Sequence, residues 1–175
     1  MKLNRKTMVK IGLFAFLYMG ILYAVIMNGF GMNAKPYDRT FEGIEYRNDS
    51  AEYTVTTVHM EGKFSNPLIG KSRFVGDLTY KDRTYATSFD IKRDAFIDIY
   101  DEANYTGANA TLGYLCTDST MDSITILIME YDDSYHKGWG SKDGLIFTGD
   151  AKTIEEARQL TIQNVEETVF GGVFE

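Results

Sequence analysis

From Ile11 to Ala34 the chain carries no charged residue, and Lys10 and Lys35 close the run on either side. An α-helix rises about 1.5 Å per residue, so about 20 apolar residues cross a hydrocarbon layer roughly 30 Å thick. The stretch from Ile11 to Phe30 is mostly Leu, Ile, Phe, Met, Val and Ala, and it has that length. A helix satisfies its own backbone donors and acceptors, so one such segment can span lipid alone. The core helix of a soluble protein would show a polar face, which this run lacks.

Lys2, Arg5, Lys6 and Lys10 precede the run, and the first acidic residue is Asp38. Positive charge stays on the cytoplasmic side. Residues 1–10 are therefore expected in the cytoplasm and residues 11–30 as a transmembrane helix acting as a signal anchor. Residues 31–39 are expected as a linker, with Pro36 stopping the helix, and residues 40–175 as an extracytoplasmic β-rich domain. The competing reading is a cleaved signal peptide. Gly29-Phe30-Gly31 offers a small-x-small site for it, but the apolar core is long for that role. The Gly20 and Ala24 spacing would let two helices approach closely, yet small residues are ordinary in membrane helices.

The net charge is −7; without the four N-terminal cations, 14 basic residues face 25 acidic ones, a balance of −11. Nucleic acid as a partner is excluded on that ground, because binding it needs a cationic face. With 12 Tyr, 11 Phe and two Pro, the composition suits strands and argues against disorder. Cys116 is the single cysteine, so no intramolecular disulfide can form and packing must carry the stability. Asn48, Asn104 and Asn109 open sequons that matter only in a glycosylating host.

Alternating or apolar runs predict strands at Thr40 to Arg47, Glu52 to Met60, Arg73 to Tyr80, Thr84 to Ile91, Ala95 to Tyr100, Thr111 to Thr117, Ser123 to Tyr131 and Leu145 to Thr148. Gly62 to Lys71 reads as a loop, broken by Asn66-Pro67 and Gly70. Ile124 to Met129 is nearly continuous apolar, the pattern of a strand covered on both faces. Asp101 to Ala110 and Asp132 to Asp143 are polar loops. Thr153-Ile-Glu-Glu156 is a capping box, and Ile154, Ala157, Thr161, Val165 and Val169 follow at helical spacing. Gly171-Gly172 ends that helix, expected over 153–170. The fold class is α+β, mainly β: a transmembrane helix, then an antiparallel sheet or partial barrel of seven to eight strands with one C-terminal helix packed on it.

Chemistry is harder to find. Cys116 could act as a nucleophile beside His136, but its apolar strand makes burial the expected state. Asp132, Asp133, Asp143 and Asp150 bracket one region without calcium-loop spacing, and His59 and His136 are too scattered for zinc. No metal, cofactor or catalytic residue is assigned. Trp139, between Gly138 and Gly140, is either an exposed contact for sugar or protein or an anchor of its loop on the core. Trp139, Tyr135 and His136 are the residues expected at a ligand or partner contact.

Gly138-Trp-Gly-Ser-Lys-Asp-Gly-Leu145, Ala151 and Glu155-Glu-Ala-Arg158, with Glu61-Gly-Lys-Phe64 and Phe74-Val-Gly-Asp77, carry a resemblance. The chain resembles a group of small exported or membrane-anchored β-rich proteins of Gram-positive bacteria that have no assigned activity. The resemblance implies architecture and a place in the cell envelope, and no catalytic residue. The expected function is a non-enzymatic, single-pass, membrane-anchored binding or interaction domain. Its partners would be the membrane, through Ile11 to Phe30, and an envelope protein or membrane complex. The alternatives are an envelope hydrolase using carboxylates in a sheet cleft and a carrier holding an apolar ligand among Tyr and Phe.

Overall fold

The structure is a computed structural model that describes residues 5–29, 34–67, 71–91, 97–100, 111–118, 120–131 and 137–166. Helix α1 (Arg5–Gly29) comes first and strand β1 (Lys35–Arg47) follows it. A meander continues through β2 (Tyr53–Ser65), β3 (Ser72–Tyr80) and β4 (Arg83–Ile91). A second meander runs through β5 (Ile97–Tyr100), β6 (Thr111–Thr117) and β7 (Ile124–Ile128). A small ribbon, β8 (Glu130–Tyr131) with β9 (Lys137–Gly138), leads to β10 (Leu145–Gly149) and helix α2 (Ile154–Glu166).

The main sheet has eight strands in the order β4-β3-β2-β1-β10-β7-β6-β5, all antiparallel. Its two outer strands, β4 and β5, lie against one another, so the sheet is nearly closed on itself. The two meanders are joined by β10, which pairs with β1 from Gly43↔Gly149 to Arg47↔Leu145.

Successive side chains on a strand point to opposite faces. Phe41, Val58, Met60, Phe74, Leu78, Phe89, Ile126 and Phe147 meet inside the barrel. Ile44, Tyr46, Leu127 and Ile146 point outward and meet Ala151, Ile154 and Ala157 under α2. Every residue of β7 is buried, as expected of a strand with the barrel on one side and a helix on the other. Burying each large apolar side chain contributes roughly 1.5–3 kcal/mol, so the interior is the main source of stability.

Closing so small a barrel needs sharp bends. A Cβ on Gly43 would sit 2.1 Å from the carbonyl oxygen of Thr148, and one on Gly62 would sit 2.3 Å from that of Val75. Gly43 opposes Gly149 and Gly62 opposes Gly76, so backbones approach where no side chain intervenes. This is why Gly62 to Ser65, expected as a loop, is strand: Gly62 serves ladder geometry rather than breaking it. Likewise β1 starts at Lys35 inside the expected linker, with Pro36 opposite Lys63. Pairing with β2, which runs on to Ser65, extends it.

Thr153 Oγ1 accepts from the Glu156 amide at 3.2 Å, as the capping box requires. The Glu156 carboxylate reaches one residue further back than expected, to the Lys152 amide at 2.9 Å. The underside of α2 is partly polar. Tyr46 OH donates to Thr161 Oγ1 at 3.0 Å, and Thr161 and Thr148 hydroxyls meet at 2.6 Å. Asn164 accepts from Ser123 Oγ at 2.9 Å and donates to Thr125 Oγ1 at 3.1 Å. The expected helix end beyond 166, including Val169 and Gly171-Gly172, lies outside the described residues.

The end where β1 begins is sealed. Met121, fully buried, sits between β6 and β7 with a φ of 58°. That left-handed backbone is unusual for a bulky residue. Its carbonyl accepts from Tyr37 OH at 3.1 Å and from Arg39 Nη1 at 3.3 Å. The Arg39 guanidinium also pairs with Asp122 and Asp150 and lies 4.5 Å over the Phe41 ring.

Three substitutions test this account. Gly43→Ala should lower stability by about 2 kcal/mol or more, because backbone must move to admit the methyl. Gly138→Ala, with nothing within 4 Å, should leave the denaturation midpoint nearly unchanged. Thr161→Val should cost about 1–3 kcal/mol by stranding the buried hydroxyls of Tyr46 and Thr148. Urea unfolding of each variant checks all three.

Candidate functional site

The opposite end of the barrel is where β1 stops at Arg47 and β10 starts at Leu145, with the β3–β4 turn at Lys81-Asp82 on the same side. Phe41, Gly43 and Glu45 share one face of β1, so Glu45 continues an otherwise apolar inward row. A carboxylate there needs partners, since an uncompensated buried charge costs several kcal/mol. Its side chain is 13% exposed.

Two neighbours supply the compensation. Tyr80, the last residue of β3, donates its hydroxyl to Glu45 Oε2. Lys81 Nζ lies 3.0 Å from Oε2 and 3.2 Å from Oε1 of Glu45. The same ammonium stands 5.0 Å from the centre of the Tyr80 ring. Lys81 adopts a φ of 53° in the tight turn, which turns its side chain back over the residue before it. The result is a carboxylate and an aromatic face sharing one cation. Beside them, Arg47 clamps Glu130 through both guanidinium nitrogens at 2.9 Å and reaches the Asp143 carbonyl at 3.1 Å.

Burial, and then the Glu45 carboxylate, push the Tyr80 phenol well above the ordinary tyrosine range. Burial alone pushes the Cys116 thiol up, out of reach of nucleophilic use at neutral pH. Cys116 is fully buried on its strand.

Trp139 is half-buried against the cluster under α2. Its indole N–H donates to the Leu145 carbonyl at 3.2 Å, and Gly144 fits beneath the ring. It therefore fastens the approach to β10 onto the sheet. Tyr135 and His136, expected beside it, lie outside the described residues, as do Asp132 and Asp133. Asp150 is engaged by Arg39. Among the described residues, no group of three or more His, Cys, Asp or Glu could hold a metal ion. His59, on the outer face of β2, has Thr40 Oγ1 at 3.1 Å and Asp38 and Glu61 each at 3.9 Å. An open groove of about 400 Å³ runs along α2 by Asp150, Lys152, Glu156 and Leu160.

Sequence reasoning did not single out Glu45. The signal was present: alternation through Phe41, Gly43 and Glu45 sets an acid in an inward row. Its partners come from the β3–β4 turn, which no spacing in the sequence places beside β1.

An alkaline titration follows from the raised phenols. Tyr46 and Tyr80 are both raised, chiefly by burial. A raised folded-state value means that their contribution to stability is complete below about pH 10 and is lost as pH rises past it. Ultraviolet titration should show these two phenols ionising only with unfolding. Tyr80→Phe should flatten the alkaline loss of stability. Comparisons of the chain with protein families, with curated proteins and with solved structures find no match.

Proposed function

We propose that the chain is a single-pass membrane protein whose barrel is held outside the membrane as a non-enzymatic binding domain. The observation that carries this reading is the state of α1. Met8–Met27 has a mean hydropathy of 2.1, and none of it is buried by the rest of the protein. Phe14 and Phe16 are 72% and 81% exposed. So large an unburied apolar surface calls for a non-aqueous surrounding.

The basic N-terminus supports an inside start and an outside barrel. Lys35 follows Gly29 by six residues, at most about 21 Å of chain, so the sealed end would stay near the bilayer. Strand β1, with 13 residues, is about 43 Å long at about 3.3 Å per residue. The end carrying Glu45, Tyr80 and Lys81 would then face away from the anchor. Binding is favoured over hydrolysis because Glu45 and Glu130 are each matched to a cation, an arrangement suited to recognition rather than proton transfer. A place in a Gram-positive envelope, next to a larger membrane complex, fits the lack of disulfides.

Protease treatment of intact, wall-stripped cells carrying a C-terminally tagged chain tests the topology. The expected result is full-length chain in the membrane of untreated cells and loss of the tag on treatment. A protected tag would overturn the orientation, and a shortened chain free of the membrane would overturn the anchor in favour of a cleaved signal.

A further inference from the structure

We propose that the anchor-distal end of the barrel is an ammonium-recognition site, and that Lys81 fills it in the free protein as a tethered stand-in for an amine-bearing ligand. This deepens the binding-domain reading and rests on it. The site consists of the Glu45 carboxylate and the Tyr80 ring. A carboxylate beside an aromatic face is the chemistry that recognises an ammonium group, by charge and by attraction to the ring's negative face.

The occupant is unlike the site. Glu45 and Tyr80 both point into the barrel end and are largely buried, at 13% for the Glu45 side chain and 6% for Tyr80. Lys81 comes from a two-residue turn, and its side chain is 53% exposed. Only a flexible four-carbon stem holds its ammonium in place. Rotation of that stem would empty the cation position without moving a strand. Glu45 would then lose one charged partner, keep the Tyr80 hydroxyl, and present its carboxylate at the barrel mouth.

Two other cations at this end are committed elsewhere, Arg83 standing 5.0 Å over the Tyr85 ring. Arg47 makes paired 2.9 Å bonds to Glu130, so it does not compete for Glu45. The domain's charge balance of −11 also favours a cationic ligand over an anionic one. The ligand class is a soluble primary alkylammonium. An internal occupant of this kind lowers apparent affinity by the fraction of time it holds the site.

The test uses the full chain in detergent micelles, with n-butylammonium chloride as the probe and sodium chloride at equal ionic strength as the control. Binding is read from the amide and side-chain NMR signals of Glu45 and Tyr80. Lys81→Ala should bind the probe about 10-fold or more tightly than the wild type, as expected when a site occupied most of the time is vacated. Adding Glu45→Gln to that variant should abolish saturable binding, and Lys81→Arg should keep the weak wild-type affinity. Thermal midpoints of all variants confirm that the barrel is folded. Equal affinity in the wild type and Lys81→Ala, or saturable binding that survives Glu45→Gln, would overturn the proposal. Loss of fold in Glu45→Gln shifts the decision to Lys81→Ala alone, where the same 10-fold criterion applies. None of these outcomes bears on membrane topology, which the protease experiment decides separately.

Discussion

The β1–β10 ladder is the contact on which the architecture depends. Gly43 and Gly149 lie opposite one another although more than a hundred residues separate them in the chain. Without this pairing there would be two open sheets, one built from β1 to β4 and one from β5, β6, β7 and β10. With it, a single curved surface closes around Phe41, Phe74 and Phe147. The ladder also makes the outer seat for α2, since Ile44 and Ile146 face the helix from adjacent strands. The Tyr46–Thr161–Thr148 hydroxyl chain then ties that helix to both strands of the ladder. One long-range pairing thus organises the interior, the bends and the helix together.

The two ends of the barrel solve opposite problems. At the end where β1 begins, a buried methionine in a strained turn fills the opening, and Arg39 holds that turn by its carbonyl. At the other end the inward row finishes in a carboxylate, and its neighbours are a phenol and a lysine. Apolar filling makes the first end a stopper. Charge at the second requires partners and leaves one of them, Lys81, in contact with solvent. The contrast gives the domain a polarity along its axis that matches the position of α1 in the chain.

Much of this was legible in the residues. Period-two alternation marks β3 and β4, and the apolar run at Ile124 marks the strand that is buried on both sides. The capping box marks the start of α2 to within a residue. What was not legible depends on strands distant in sequence. Gly62 looks like a breaker until Gly76 is set opposite it, and Pro36 looks like a linker residue until β2 pairs beyond it. Glu45 has the same character: its local strand assignment is plain, but the meaning of its charge comes from Tyr80 and Lys81. Trp139 could be read locally as either a contact or an anchor, and only the cluster under α2 shows what its ring rests on.

The position of β10 has a consequence for biosynthesis. A ribosome adds about 5–20 residues per second, so the roughly hundred residues between β1 and its partner take on the order of 5–20 s to appear. Throughout that interval one edge of β1 has no strand beside it. An unpaired edge is a template for other chains. Every nascent copy therefore passes through a window in which its first strand can pair with a neighbouring copy, and crowding of unfinished chains, rather than the stability of the finished barrel, sets the hazard of misassembly.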